Sequence, residues 1–385
     1  MKRSYKLSAF LLTFVVFFIL SANMFPVVAL AAPPEITADA AVLIDAKTGE
    51  IYYSKNAEKR MNPASLTKIM TGILAIELGG PRDVVEAGRG PHNVTTGSTM
   101  GLCQGDKLTL DDLTKAALMM SANDATVAIA EHICEDHGSF TEQMNLKAFT
   151  LGALNTKFRN TNGYTSPNHY STAYDLALIT RYALKNNRFA EIVKSKKATV
   201  KWKNRKKELT FANTNRMLRD ERYYYPGIDG VKTGTTTRAG HCLAASATRN
   251  NRQLIAIVLH CNNRYKDAAA LLDYGFNEHL PRKIVNAGSG IGTVGVLNGI
   301  ADNVPVVVKE DIEAVLSEDD MEHLEIYRHV LKNTPAPIDQ GEVLGRLIIT
   351  CRGRVVNDVD LIAQKNVLTD NFINRLKVRF LAEKS

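Results

Sequence analysis

The segment Pro63-Ala64-Ser65-Leu66-Thr67-Lys68-Ile69-Met70-Thr71 carries the most specific pattern in the chain. Its proline stands where helices commonly begin, and apolar residues such as Ile69 and Ile73 recur after it at helical spacing. Positions three apart on a helix are neighbours on one face, so Lys68 is expected to reach the hydroxyl of Ser65. Ser65 would then lie near a helix N-terminus, where the positive end of the helix dipole stabilises a developing anion.

Two further short motifs follow along the chain, Ser121-Ala122-Asn123 and Lys232-Thr233-Gly234. Each motif alone is a weak signal, because a serine three residues before a lysine occurs by chance in many proteins. All three motifs in this order in one chain are a strong signal. They predict a serine nucleophile that is served by a lysine base.

The elements around the motifs predict an antiparallel sheet with helices between its first and last strands. Residues 40–56 have the pattern of a hairpin, and residues 243–261 have the pattern of a second one that turns at 249–252. The helical patterns between the hairpins and after them lie at residues 110–133, with an interruption at 121–124, and at 140–151, 172–184 and 268–276. The sheet should therefore pair the beginning of the chain with the end of this domain.

From about Arg282 the sequence changes character. Short β-rich runs are separated by Gly, Asn, Asp and Pro, and they lie at residues 292–297, 304–309, 341–350 and 355–363. Arg352-Gly353 has the composition of a hairpin turn, and helical signals are scarce before Leu368. Residues 282–367 are therefore predicted to form a separate small all-β domain without a nucleophile or metal constellation of its own.

The N-terminus has the layout of a secretory signal peptide at residues 1–31. Basic residues at its start precede an apolar run at 9–20, and Ala29-Leu30-Ala31 is a small-x-small cleavage site. The alternative is an uncleaved membrane anchor, which is disfavoured because Pro26 and the polar residues at 21–23 break the apolar run early. The sequence thus predicts an exported protein outside the cytoplasmic membrane.

The composition fits a folded protein of two or three domains. The chain has 385 residues, of which 45% are hydrophobic and 23% are charged. Its formal net charge is +8, and loss of the three basic residues in the predicted signal peptide would leave +5. This mild excess suits an anionic surface such as a bacterial envelope, whereas specific nucleic-acid binding requires a concentrated basic face and is not predicted.

Cysteine and histidine residues give no strong signal of their own. The five cysteines are odd in number and scattered, and two of them, Cys242 and Cys261, lie in predicted strands. Two buried free thiols are favoured over a disulfide between neighbouring strands, which stays the alternative. The cluster at 132–137 contains His, Cys, Glu and Asp, but it lacks a second ligand group at metal-site spacing and is interpreted as a polar helix end. No metal or cofactor is predicted.

The three motifs resemble those of the active-site serine penicillin-recognising enzymes. The residues around them resemble the low-molecular-mass D-alanyl-D-alanine carboxypeptidases of peptidase family S11. The similar segments are residues 63–71, 167–173, 213–215, 229–234 and 239–248. The resemblance covers residues 36–280 well and implies an α+β fold with a penicillin-recognising, β-lactamase/transpeptidase-like catalytic domain, followed by a small all-β domain. One departure is Ala122, where this family often has glycine.

The resemblance implies a mechanism for the first two motifs. Ser65 would attack the peptide carbonyl between two D-alanines and form an acyl-enzyme. Lys68 would be its base, which requires a neutral amine, and both burial and the positive charge of Lys232 would lower its pKa. Ser121 would pass the proton to the departing D-alanine nitrogen, while Asn123 would orient the lysine and contact the substrate.

The resemblance also implies how the substrate is held. Lys232 and Thr233 would receive the terminal carboxylate of a peptidoglycan stem peptide, and Gly234 would let the substrate backbone lie against its strand. The oxyanion would bind the backbone amides of the nucleophile and of Thr235, and Arg264 would add positive charge near the carboxylate. β-Lactam antibiotics would be covalent inhibitors.

Three other functions compete with that of a hydrolase of cell-wall peptides. A β-lactamase would need a Glu-x-x-x-Asn segment between the second and third motifs, and residues 123–232 contain none. A non-enzymatic penicillin-binding scaffold is disfavoured because the serine and lysine residues of the motifs are intact. An endopeptidase that acts on cross-linked peptidoglycan uses the same chemistry and remains the alternative.

The last residues have the composition of a short amphipathic helix at 368–385. Apolar residues gather on one side of it, and basic residues surround them. Attachment to the outer face of the cytoplasmic membrane is predicted, with packing of this helix onto the β-rich domain as the alternative. The predicted order is therefore a signal peptide at 1–31, a catalytic domain at 36–281, a β-rich domain at 282–367 and this helix.

Overall fold

The computed structural model describes residues 33–376. Pro33–Arg282 forms one compact unit, and the described residues from Lys283 onward belong to a second. The predicted signal peptide at 1–31 and the end of the predicted C-terminal helix lie outside the described residues. The fold is α+β, as predicted, with helices and a sheet in the first unit and mainly strands in the second.

The first unit has strands near both of its ends and most of its helices between them. Its strands are β1 Ala40–Asp45, β2 Ile51–Lys55, β3 Val84–Glu86, β4 Lys107–Thr109, β5 Lys197–Lys201, β6 Glu208–Ala212, β7 Ile228–Thr236, β8 Gly240–Arg249 and β9 Arg252–Cys261. Its helices are α1 Lys68–Leu78, α2 Arg89–His92, α3 Leu110–Lys115, α4 Asn123–Cys134, α5 His137–Thr150, α6 Ala173–Leu184, α7 Asn187–Lys194 and α8 Arg264–Asn277. A 3-10 turn at Ala64–Thr67 precedes α1, and a π-helical segment at Ala116–Met120 follows α3.

The main sheet of this unit has five strands in the order β2-β1-β9-β8-β7. β1 pairs antiparallel with β9, with Ala40 opposite Leu259 and Asp45 opposite Leu254. The prediction that the sheet joins the two ends of this domain is therefore confirmed. The turn between β8 and β9 is also as predicted, because Asn250 and Asn251 have φ values of 50° and 61°, the left-handed conformation that two-residue hairpin turns require.

Helix α1 is buried on nearly every side. Its first eight residues, 68–75, are all buried, and a helix that is enclosed all round lies inside a domain rather than on its surface. Ile69 and Ile73 belong to the same apolar core as Val42 of β1 and Ile257 of β9. This core position leaves Lys68, the first residue of α1, fully buried.

The second unit is mainly a β-structure with one short helix between its strands. Its elements are β10 Leu280–Val285, which begins before the boundary, β11 Gly290–Leu297, β12 Asn303–Val308, β13 Ile312–Leu316, α9 Glu318–Glu322, β14 Leu324–Val330, β15 Asn333–Pro335, β16 Val343–Cys351 and β17 Arg354–Ala363. Six strands form a sheet in the order β14-β16-β17-β12-β11-β15. Arg352 and Gly353 form the turn between β16 and β17, as predicted. Residues 372–376 are helical.

Residues 33–376 contain no membrane-spanning helix, no metal-binding cluster and no disulfide. No helix there is long and apolar enough to cross a membrane. No group of three or more His, Cys, Asp or Glu side chains is arranged to hold a metal ion. The five cysteines are free thiols, and Cys242 and Cys261 are buried.

Candidate active site

Ser65 lies on the 3-10 turn, and the α-helix begins only at Lys68. The predicted helix therefore starts later than expected. The reason is the backbone of Ala64, whose φ of 47° is left-handed and incompatible with a right-handed helix. The predicted contact nevertheless forms, with Lys68 Nζ 3.0 Å from Ser65 Oγ, because residues three apart lie above one another in a 3-10 turn.

The amine of Lys68 has three neighbours at hydrogen-bond distance. Besides Ser65, it donates to Asn123 Oδ1 at 2.8 Å and to the backbone oxygen of Asn162 at 2.6 Å. Both oxygens are uncharged acceptors that cannot donate. A neutral amine has two N–H bonds and one lone pair, so its two N–H bonds are matched to these acceptors and its lone pair is left for the Ser65 hydroxyl.

The surroundings of Lys68 favour that neutral form. The side chain is fully buried, and burial followed by the positive charge of Lys232 lowers its pKa well below 10.5. Asp124 acts in the opposite direction, but its effect is the smallest of the three. These surroundings suit the amine of Lys68 to accept a proton.

Asn123 is held in the orientation that this arrangement requires. It is the first residue of α4, and its backbone N–H donates to Ser98 O at 2.7 Å. Its Nδ2 donates to Thr96 O at 2.9 Å, which turns Oδ1 toward Lys68. The loop that contains Thr96 and Ser98 is also held by Asp124, because its carboxylate accepts hydrogen bonds from the backbone N–H groups of residues 100–102.

Ser121 follows the π-helical segment and is 8% exposed. Its φ of 66° and ψ of 30° place it in the left-handed region, which a serine adopts only when its surroundings hold it there. Within the part of the chain that the structure describes, its hydroxyl has no hydrogen bond to protein. It lies two residues before Asn123, where it is available to a bound molecule.

The third motif lies on β7, against the turn that carries Ser65. A Cβ atom added to Gly234 would lie 3.1 Å from the backbone nitrogen of Ser65 and 3.2 Å from the oxygen of Pro63. A side chain here would push against the backbone of the turn, which would have to shift by a few tenths of an ångström. Lys232 is 1% exposed, and burial together with the charge of Arg264 lowers its pKa to about 7.

The hydroxyls of this strand are positioned by neighbours from other elements. Thr233 Oγ1 donates to Thr214 Oγ1 at 2.8 Å. Arg264 donates through Nη2 to Thr235 Oγ1 at 2.7 Å and through Nη1 to the backbone oxygen of Gly234 at 2.7 Å. Arg264 thus lies beside the third motif and also supports the backbone of β7.

The structure adds Asn162, which the sequence analysis missed, through its backbone oxygen on Lys68. A chain of threonines holds this loop: Thr71 Oγ1 donates to Thr161 O at 2.6 Å, and Thr161 Oγ1 donates to Thr126 Oγ1 at 3.0 Å. Gly163 follows with a φ of 86°, and a Cβ atom there would overlap the backbone of Ala64. No sequence motif signals a backbone oxygen, although the left-handed glycine marks the close approach.

His169 is a second residue whose position the motifs alone did not reveal. Its Nδ1 accepts the backbone N–H of Arg159 at 3.1 Å, so the ring hydrogen is on Nε2, which donates to Thr67 Oγ1 at 3.0 Å. Burial lowers the pKa of His169 to about 4, so the ring is neutral near pH 7. Its hydrogen bond to Thr67 steadies the turn that carries Ser65.

The arrangement as a whole joins a hydroxyl to a buried amine that a third group orients, which is the geometry that activates a serine for nucleophilic attack. Direct hydrogen bonds unite Ser65, Lys68 and Asn123. The third motif packs against the nucleophile through Gly234, and its buried cation, Lys232, lowers the pKa of Lys68. Such a pair is suited to acyl transfer from a substrate that carries a negative charge beside the scissile bond.

Comparison with known proteins agrees with this chemistry. The family profile described as D-alanyl-D-alanine carboxypeptidase matches residues 27–263, and the profile described as penicillin-binding protein 5, C-terminal domain, matches residues 281–369. The D-alanyl-D-alanine carboxypeptidase DacF of Bacillus subtilis (strain 168) is 32% identical over 348 residues, which is 88% of each chain.

Solved structures give the same result over nearly the whole chain. The crystal structure of the D-alanyl-D-alanine carboxypeptidase DacD from Francisella tularensis has a TM-score of 0.70 at 26% identity and covers 91% of this chain and 98% of its own. Penicillin-binding protein 5 from Haemophilus influenzae has a TM-score of 0.65 at 30% identity, with 88% and 99% covered. The chain belongs to peptidase family S11, the D-alanyl-D-alanine carboxypeptidases among the low-molecular-mass penicillin-binding proteins.

Proposed function

We propose that this carboxypeptidase is exported and removes the terminal D-alanine from peptidoglycan stem pentapeptides through an acyl-enzyme on Ser65. The observation that supports it best is the 3.0 Å contact of Ser65 Oγ with Lys68 Nζ, an amine whose other two neighbours are uncharged oxygens.

In the acylation step, Ser65 Oγ attacks the carbonyl carbon of the penultimate D-alanine while its proton passes to Lys68 Nζ. The tetrahedral oxyanion accepts hydrogen bonds from the backbone amides of Ser65 and Thr235, which lie on adjoining elements because Gly234 packs against the nucleophile turn. The C–N bond then breaks, and the Ser121 hydroxyl relays the proton from Lys68 to the leaving D-alanine nitrogen.

In the deacylation step, water attacks the ester carbonyl and gives a proton to Lys68 Nζ. The bond to Ser65 Oγ then breaks, and Lys68 returns the proton to Oγ, which restores the hydroxyl. Lys232, Thr233 and Arg264 hold the carboxylate of the terminal D-alanine during acylation. Asn123 orients Lys68 throughout and contacts the substrate backbone. Hydrolysis of stem peptides in this way serves peptidoglycan synthesis, and so cell-wall biogenesis and cell shape.

The test of the proposal is product analysis by mass spectrometry with two substrates. A soluble stem pentapeptide should lose one D-alanine, whereas a cross-linked peptide dimer should be cleaved much more slowly. Ser65→Ala should release no D-alanine and should not be labelled by benzylpenicillin, which in the wild type acylates Ser65. Faster cleavage of the dimer would make the protein an endopeptidase, and covalent drug on another residue would overturn the assignment of the nucleophile.

The domain organisation is also part of the proposal. A catalytic domain at 36–281 and a β-rich domain at 282–367 are supported by the separate profile matches to the two parts of the chain. The signal peptide at 1–31 is supported by its sequence pattern. N-terminal sequencing of the protein that is secreted by an expressing bacterium tests it, and a first residue other than Ala32 would contradict the predicted cleavage site.

We further propose that residues 368–385 attach the protein to the outer face of the cytoplasmic membrane. In the described part of this segment, Phe372 is 77% exposed and Ile373 is 65% exposed, so apolar surface is available to a bilayer. Flotation of residues 32–385 with anionic liposomes, beside a version that ends at Val367, tests the proposal. The longer version should float and the shorter one should not; equal behaviour of the two would contradict attachment.

A further inference from the structure

Residues 194–212 form a strongly basic hairpin beside the active site, here called the basic hairpin. Residues 194–208 contain eight basic residues and a single acidic one, a net charge of +7 in a chain whose formal net charge is +8. β5 and β6 pair antiparallel, with Lys197 opposite Ala212 and Lys201 opposite Glu208. All eight basic side chains are exposed, so nearly the whole excess charge of the protein is displayed on one hairpin.

Most of this charge is not neutralised by the protein itself. Ion pairs join Lys194 to Asp229, Lys201 to Glu208 and Arg205 to Asp106. The remaining five lysines have no carboxylate partner within residues 33–376: Lys196, Lys197, Lys203, Lys206 and Lys207. Unpaired cations in such number repel one another, and a polyanion that covers them removes this repulsion.

Both ends of the basic hairpin are attached to parts of the fold that border the catalytic residues. At its base, the backbone N–H of Asn213 donates to Lys196 O, and the next residue, Thr214, accepts the hydrogen bond of Thr233. At its tip, the backbone N–H of Lys203 donates to Lys107 O at 2.7 Å. A second tip residue, Asn204, donates to Gly105 O at 2.7 Å.

The loop under the tip is hydrogen-bonded to two neighbouring residues, Asn123 of the second motif and Asp124. Its residues 100–102 are bound by Asp124, and Ser98 accepts the backbone N–H of Asn123. A polymer that lies on the basic hairpin therefore runs beside the third motif at one end and beside the loop before the second motif at the other.

We propose that the basic hairpin binds the uncross-linked peptidoglycan strand whose stem peptides the active site processes, through the carboxylates that recur along that strand. The proposal rests on the proposed function, because it takes the substrate to be a stem peptide that is carried on a polymer. Each uncross-linked stem ends in a carboxylate, so the strand is an extended polyanion. Exposed lysines four residues apart on β5 lie about 13 Å from each other and meet successive charges of such a chain.

The surface chemistry of the basic hairpin fits this strand better than a bilayer or a nucleic acid. Its apolar residues face the protein, with Val200 fully buried and Trp202 5% exposed, so it offers no apolar side chain for insertion into lipid. The same burial removes the aromatic platform on which nucleic-acid bases stack. Its single guanidinium, that of Arg205, is already paired with Asp106.

The test is a binding measurement with insoluble uncross-linked peptidoglycan strands, made in a Ser65→Ala background so that the strands are not consumed. The test variant replaces Lys197, Lys203 and Lys206 by glutamine. The matched control also removes three exposed lysines from the same unit, by glutamine substitution of Lys47, Lys59 and Lys185. Both variants have the same net charge, so only the position of the lost charge differs.

The hairpin variant should bind the strands about tenfold more weakly than its parent at low salt, and the difference should shrink as salt screens the charges. The control should bind within about twofold of the parent. Strands whose carboxylates have been converted to neutral amides should bind the parent and the hairpin variant equally. Equal weakening by both triple variants, or an unchanged difference on amidated strands, would overturn the proposal.

Two further measurements distinguish binding of the strand from binding of a membrane and from an effect of the hairpin on the active site. The first uses vesicles of phosphatidylcholine and phosphatidylglycerol in equal parts. The difference in binding between the parent and the hairpin variant should be smaller on these vesicles than on the strands. A larger difference on the vesicles would make the hairpin a membrane contact and overturn the proposal. With Ser65 intact, the hairpin variant should release D-alanine from a soluble pentapeptide at the parental rate. If the parent with Ser65 intact releases no D-alanine, the proposed function is refuted instead. If only the hairpin variant releases D-alanine more slowly, the hairpin shapes the active site and does not bind the strand, which overturns the proposal.

Discussion

The lysines of the active site and those of the basic hairpin are the same residue in opposite environments. Lys68 and Lys232 are buried, and both have lowered pKa values. Lys197 and Lys203 on the hairpin are exposed to water. Burial lowers the pKa of the two active-site lysines, whereas positive charge at the exposed surface attracts anions over a distance. The fold, and not the residue type, therefore determines which lysines take part in chemistry.

The largest effect is expected from Lys68→Arg. A guanidinium stays protonated at any working pH, so it cannot take the proton of Ser65. The rate of acylation by benzylpenicillin should fall about 10³-fold, within the usual range for loss of a general base. Stopped-flow measurement of this rate checks the prediction. A variant that keeps about a tenth or more of the wild-type rate would refute the role of Lys68 as the base.

A smaller effect, in two parts, is expected from Lys232→Gln. Loss of the cation should raise KM for a pentapeptide about ten- to hundredfold, because a charge-assisted contact to the carboxylate is lost. It should also raise the pKa of Lys68, since the charge of Lys232 lowers it. The rising limb of the profile of kcat against pH should therefore move to higher pH. An unmoved limb would show that the two lysines do not interact.

Asp124→Asn should move the same limb in the opposite direction. The Asp124 charge raises the pKa of Lys68, so its removal should shift the rising limb to lower pH. The variant should also lose about 1–3 kcal/mol of unfolding free energy, because an amide has a single oxygen to accept the backbone N–H groups of residues 100–102. Urea unfolding and the pH profile check the two parts, and a shift to higher pH would contradict the account.

The smallest effects are expected from Lys197→Gln and Lys203→Gln on the basic hairpin. Both side chains are exposed and lack ion pairs within the described chain, so each change should alter the unfolding free energy by less than about 0.5 kcal/mol. Neither should move the rising limb of the pH profile. A shift there would mean that the hairpin lysines act on Lys68, and the contrast between the two groups of lysines would fail.

Much of the first unit could be predicted from sequence because its elements carry strong local signals. The Asn250-Asn251 turn and the apolar strands on either side of it specify the β8–β9 hairpin of the main sheet. In the second unit, β14 was missed because nearly all its residues are exposed and the alternation that marks a half-buried strand is absent. The basic hairpin was missed for a related reason, since lysine is depleted in strands.

The motifs name side chains of the candidate active site, but they do not indicate the backbone geometry around them. The motifs name Ser65, Lys68 and Lys232, but they give no sign of the backbone oxygen of Asn162, which any residue could supply. They also do not reveal the left-handed Ala64 that delays the start of α1, because alanine has no preference for that conformation. Geometry that depends on tertiary packing therefore had to come from the structure.

The pH dependence of wild-type acylation by benzylpenicillin tests the central claim most directly, because it follows the protonation of Lys68 while Ser65 reacts. Lys68 with a lowered pKa is neutral above that pKa, so the rate should rise with pH and reach a plateau well below pH 10.5. Lys68→Met should lose this rise together with most of the rate. A wild-type rate that climbs only near pH 10.5, or a rise that persists in Lys68→Met, would contradict the account.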